Sequence, residues 1–136
     1  MRIKVILLIF FVFLPCPLTL NAQKPITKDE KTEGWHNGNL WRSYPKLQRS
    51  THLLGMIEGI ILSADFLQDE YLLSALTQGG VTYDELETEM DRFYAKASNL
   101  RIPIAYAYVY AVGKKRGTAP KELEAFAASL RKRFNK

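Results

Sequence analysis

Leu53-Leu54-Gly55-Met56-Ile57-Glu58-Gly59-Ile60-Ile61-Leu62-Ser63-Ala64-Asp65-Phe66-Leu67 decides the fold class. Leu53, Ile57, Ile60, Ala64, Leu67 and Tyr71 recur at steps of four and three, with Leu54, Ile61 and Leu72 beside them. That spacing is one wide apolar stripe on a helix. It predicts a long helix over residues 46–73, begun after Pro45, because proline disfavours the α region in the residue before it. Gly55, Gly59 and Ser63 follow at steps of four on the other side, near Leu62 and Phe66. Glycine inside a helix costs about 0.5–1 kcal/mol against alanine. Two on one face therefore predict a second element in close approach, and a central helix contacted from both sides.

Downstream, Gln78-Gly79-Gly80 breaks the chain, and Thr82 with Glu85 makes a Thr-x-x-Glu capping box. Tyr83, Leu86, Met90, Phe93 and Ala97 continue at helical spacing, which predicts a helix over 82–96. Ser98-Asn99 stops it, and Pro103 suits the first turn of a third helix over 103–115, apolar nearly all round and so buried. Gly117 closes that helix, and Thr118 is expected to cap a last one carrying Leu123, Phe126, Leu130 and Phe134 on one face. Upstream, His36-Asn37-Gly38-Asn39 reads as a turn tolerant of positive φ, followed by a short helical turn over 40–44. No strand-like alternation, repeat or low-complexity stretch is present. The fold expected is all-α, a small bundle of four main helices with a long central helix and short loops.

Ahead of the domain, Arg2 and Lys4 precede ten unbroken apolar residues, Val5 to Leu14, then Pro15, Pro17 and a small residue at Ala22. This is the pattern of a secretory signal peptide over 1–22 with cleavage before Gln23. Ten apolar residues are about half of a bilayer span. The segment 23–34 is polar and without periodicity, so a flexible tether is expected there, with the single helical domain at 35–136. Loss of Arg2 and Lys4 lowers the formal charge from +5 to +3. That is too mild for a nucleic-acid footprint, and export argues against such a partner. The one cysteine, Cys16, leaves with the signal peptide. An exported domain without cysteine has no disulfide, thiol catalysis or cysteine metal site, and no stable membrane span is expected after cleavage. The compartment implied is the periplasm or the exterior.

No catalytic motif stands in the chain, and no cofactor is implied. Gly55-x-x-x-Gly59 lacks the Lys-Ser/Thr of a phosphate loop. His36 and His52, sixteen apart, show no metal-ligand spacing, so no metal site is read. Glu58, Asp65 and Asp69 share a stripe, as a cation holder or an acid/base pair would, or as border residues meeting water. Glu58 is set among Met56, Ile57, Ile60 and Ile61. Tyr94, Tyr106, Tyr108 and Tyr110 crowd 17 residues, and Asn99 and Arg101 lie in the loop before the tyrosine-rich helix. Tyrosines suit clefts and interfaces as well as cores. The binding residues expected are Glu58, Tyr94, Asn99, Arg101 and Tyr106, converging if the fold allows. The basic runs Lys114-Lys115-Arg116 and Arg131-Lys132-Arg133 fall in last helical turns, where positive charge complements the macrodipole.

Trp41-x-x-Tyr44-x-Lys46, Leu53-Leu54-Gly55-x-x-Glu58-Gly59 and Phe93-Tyr94-x-x-x-x-Asn99-x-x-Ile102-Pro103-Ile104 together resemble a family of small exported bacterial all-helical domains without an assigned activity. The likeness covers about residues 41–131 and implies a fold and a compartment, not a mechanism. His52 stands where that pattern has tyrosine, and Lys96-Ala97 where an acid is common. A fainter likeness runs to secreted immunity proteins that block peptidoglycan amidases, which carry disulfides. The function expected is a non-enzymatic binding domain for an unknown protein or small ligand in the exported compartment. The alternatives are an immunity or inhibitor protein against a cell-wall-targeting toxin, and an enzyme using Glu58 or Asp65 as acid/base.

Overall fold

The computed structural model describes residues 25–68 and 80–136. Among them five α-helices form the bundle: α1 (Gly38–Ser43), α2 (Lys46–Phe66), α3 (Tyr83–Ala95), α4 (Ile104–Lys115) and α5 (Pro120–Phe134). A two-stranded antiparallel hairpin, β1 (Lys31–Thr32) and β2 (Trp35–His36), precedes them. The all-α expectation holds, with four helices longer than six residues. The signal-peptide segment and Asp69 lie outside the described residues.

Helix α3 starts where the sequence places it. Thr82 Oγ1 accepts from Glu85 N–H, and Glu85 reaches back to the Thr82 N–H at 2.9 Å. This helix packs against both α2 and α4, and α4 in turn packs on α5. Its inward residues Leu86, Met90, Phe93 and Tyr94 join Trp41, Leu53, Ile102, Ile104, Ala107 and Leu130 in one core. Trp41, at the centre, is fully buried and donates its indole N–H to Asp91 at 2.7 Å. Arg49 grips both oxygens of the same carboxylate at 2.7 and 2.8 Å, tying α2 to α3 beside α1. Gly38 is required for a packing reason: a Cβ there would run into the Tyr94 ring.

Several expectations are corrected. Helix α2 ends at Phe66 rather than 73, with Gln68 at positive φ just beyond it. No described atom outside the helix's own turns lies within 4 Å of a Cβ built on Gly55 or Gly59, so among the described residues no second element packs closely over them as expected. Leu54, Leu62 and Phe66 are exposed, Phe66 by 87 %. Only Leu53 and Ala64 of α2 are fully buried. Order also begins upstream of Trp35: the stretch read as a tether contains a 3-10 turn (Lys28–Glu30) and the hairpin, and it buries Glu30 and Thr32. Positive φ in this region falls at Glu33 and Gly34, the hairpin turn, not at Asn37-Gly38. Ala119, not Thr118, occupies the cap position of α5, with Pro120 as its first residue. Helix α4 is not buried all round, since Val109 is more than half exposed.

Candidate functional site

Asn37 joins the hairpin to the helices. Asn37 is 1 % exposed, and its amide Nδ2 donates to Asp29 O and Thr32 Oγ1, both at 2.9 Å. Its Oδ1 accepts from Asn39 N–H at 3.0 Å, capping α1. Its backbone forms an antiparallel bridge with Pro103, at the entrance to α4. Asn37 therefore ties the hairpin to α1 through its side-chain amide and to the entrance of α4 through its backbone.

That placement builds a groove. Trp35 and His36 from β2 form one wall, His52, Gly55 and Met56 from α2 another, and Ile104 and Ala105 from α4 a third. Its volume is about 470 Å³, and its lining is mostly apolar. Trp35 is 63 % exposed, an unusual exposure for the largest apolar side chain. The missing side chain at Gly55 keeps the groove open on the α2 side. The His36 and His52 rings lie 5.9 Å apart, and Tyr44 packs 5.8 Å from His52 on its other side. Burial, and then the charge of His36, push the His52 pKa below the ordinary histidine value. His52 is therefore neutral at neutral pH and offers one donor and one acceptor.

The residues expected from sequence to converge do not do so. Glu58 is exposed on α2, and no described residue forms a hydrogen bond or ion pair with it; Asp65 is likewise exposed. Tyr94 is fully buried, donating its hydroxyl to Ile102 O at 2.9 Å, and burial drives its pKa well above the ordinary value. Asn99 is buried, its amide donating to Phe93 O at 2.7 Å while its oxygen accepts from Arg131. Arg101 donates to Phe134 O at 3.2 Å, and Tyr106 stacks on Phe134 and accepts from Arg133. Four of the five thus hold the turn after α3 against the end of α5. They are joints of the scaffold.

Charged residues line a second, smaller cavity, among them Glu89, Arg92 and Glu124, which no local pattern in the sequence marks. Glu89 on α3 is 4 % exposed and lies 2.6 Å from Lys114 of α4, with Arg92 on its other oxygen. The Lys114 contact is an ion pair without good hydrogen-bond direction, which leaves Glu89 Oε2 without a directed donor. Burial pushes the Glu89 carboxyl up, but Lys114 and Arg92 together outweigh it and hold the pKa below the ordinary range. The basic runs also have partners: Lys115 with Glu85 of α3, Arg131 with Glu124 on its own helix, and Arg133 with Glu33 of the hairpin turn. Nothing in the local spacing of Glu89 or of the two histidines marks them, because their neighbours come from other helices. Exposed Trp35 next to a Glu-Gly turn was the one available signal. Among the described residues no group of three or more metal-ligating side chains occurs, and no helix is long and apolar enough to cross a membrane. No protein-family model matches the chain, and neither a curated protein nor a solved structure matches it.

Proposed function

We propose that this chain is an exported, non-enzymatic binding domain that takes a small, largely apolar molecule into the groove between β2, α2 and α4. The observation that carries the reading is Trp35, an exposed indole held in place by buried Asn37 over an open floor at Gly55. Ligand pockets fall at about 300–1,000 Å³, lined by apolar and aromatic groups with a few polar ones to orient the guest. The groove has that size and that balance, and His36 and His52 are its orienting groups. Export rests on the basic, apolar and small-residue pattern of 1–22. A larger hollow of about 580 Å³ at Leu62, Phe66 and Leu67 is a weaker candidate, because among the described residues only the end of α2 lines it and no aromatic or polar group from a second element does. The acid/base reading gains no support, since nothing among the described residues converges on Glu58 or Asp65.

The test exploits Gly55. A side chain there meets open space, so Gly55→Leu is expected to fold and to fill the groove. Titration with the neutral apolar probe N-phenyl-1-naphthylamine should quench Trp35 by energy transfer in the native protein. Quenching should fall at least about tenfold in affinity in Gly55→Leu, a loss of about 1.4 kcal/mol. Equal binding by both proteins would refute the assignment.

A further inference from the structure

The cavity beside Glu89 shares no residue with the groove. Its volume is about 130 Å³, and it opens to solvent between α3, the turn after it, α4 and α5. Four cations line it: Arg92 from α3, Lys96 just after α3, Lys114 from α4 and Arg131 from α5. Two carboxylates oppose them, Glu89 and Glu124. Each is shared between two cations, Glu89 by Lys114 and Arg92, Glu124 by Arg131 and Lys96. The walls therefore carry two positive charges more than negative ones.

Donors remain as well as charge. A guanidinium has five N–H groups and an ammonium three. Arg92 meets Glu89 through Nη1 alone, and Lys114 through a single contact. Arg131 is anchored, donating from Nη1 to Asn99 at 3.1 Å and from Nη2 to Glu124, with its side chain 17 % exposed. A network serving stability alone gains nothing from two extra like charges around one small space, because like charges held this close repel, most of all beside the buried Glu89 and the 17 % exposed Arg131. A bound dianion removes that repulsion and uses the remaining donors, and arginine suits the geometry of phosphate oxygens.

We propose that this cavity binds a small oxyanion of the phosphate class, free or as a terminal phosphomonoester. The charge match selects it: two surplus positive charges, one doubly charged tetrahedral guest. A singly charged carboxylate leaves half the surplus in place.

Thermal unfolding of the full chain tests this with three probes, each against sodium chloride of equal ionic strength. Inorganic phosphate or glycerol phosphate should raise the melting temperature saturably, and acetate should match chloride. Arg92 is 64 % exposed, so Arg92→Gln should keep the fold and lose most of the phosphate-dependent rise. Lys114→Gln should lose it too, whereas Lys121→Gln, on exposed α5 surface away from the cavity, should behave as the native chain. A response to only one of the two phosphate compounds identifies which source the site takes. A phosphate response no greater than chloride, a saturable acetate response of equal size, or an unaltered response in Arg92→Gln would overturn the proposal.

Discussion

Helix α2 runs for 21 residues and buries two of them fully, while α3 runs for 13 and buries six. Both read as helices in sequence, and both are. What separates them is where polar residues fall. In α3 Leu86, Met90, Phe93 and Tyr94 enter the core, and the two acids buried with them, Glu87 and Glu89, meet the cations of Arg49, Arg92 and Lys114. In α2 apolar residues surround the axis, with Leu54, Leu62 and Phe66 left outside and glycines beside them. Apolar periodicity identifies a helix; it does not count the partners that will cover it. The scaffold of α3, α4 and α5 is locked by joints, and among the described residues α2 leans on it through Leu53, with Met56, Ile57 and Ile60 beside it, and through the Arg49–Asp91–Trp41 contact, while Gly55 lines a groove.

If that contrast is right, substitutions along α2 should differ sharply. Leu53→Ala, at the anchor, should cost about 2–5 kcal/mol, whereas Leu62→Ala should stay within about 0.5 kcal/mol. Chemical denaturation of the two variants checks this. Similar losses at both sites would mean that the outer side of α2 is covered after all.

The fold was legible wherever a signal was local. The capping box at Thr82 and Glu85, the stop at Asn99, the start at Pro103 and the positive φ of Gly117 all depend on residues within a few positions. The site was not legible, because it is made of distances the sequence does not state. His36 and His52 meet across the hairpin, α1 and the start of α2, and Glu89 meets Lys114 across two helices. Tyr94 and Asn99 carry the chemistry of a site, yet the Tyr94 hydroxyl and the Asn99 amide N–H are consumed by backbone carbonyls. Gly55 and Gly59 were read as marks of close packing. At Gly55 the absent side chain instead leaves room, and the glycine with a true steric reason is Gly38.

A smaller effect is expected on the scaffold side. Gly38→Ala forces a methyl against the Tyr94 ring, which is itself pinned to Ile102 O, and should cost about 1–3 kcal/mol. Gly59→Ala, in open helix, should instead stabilise by about 0.5–1 kcal/mol. Thermal melts of this pair compare the two regions at the level of a single methyl. Opposite signs are expected, and destabilisation by both would place a hidden partner over Gly59.

Acid should distinguish the regions too. Glu89 has a folded pKa below its unfolded value, so the stability it contributes is fully present above the ordinary glutamate value, about 4.3, and is lost as pH falls through the folded pKa. Glu89→Gln should cost about 1–3 kcal/mol at neutral pH and flatten that part of the stability–pH curve. His52 acts in the same direction at higher pH: its lowered pKa makes stability fall as pH drops below about 6.5. His52→Gln should flatten the curve between pH 6.5 and lower values while leaving the Glu89 limb intact. Curves without two separable limbs would show that one of the sites is misread.

Under the proposed function, apolar molecules enter at Trp35 and not at the end of α2. Amide and indole chemical shifts of the full chain, followed by NMR during titration with N-phenyl-1-naphthylamine, locate the guest residue by residue. The expected result is a set of saturating shifts at the Trp35 indole, His36, His52, Gly55, Met56, Ile104 and Ala105, with Leu62, Phe66 and Leu67 unmoved. Saturating shifts at Leu62, Phe66 and Leu67, with Trp35 and His52 unchanged, would contradict it.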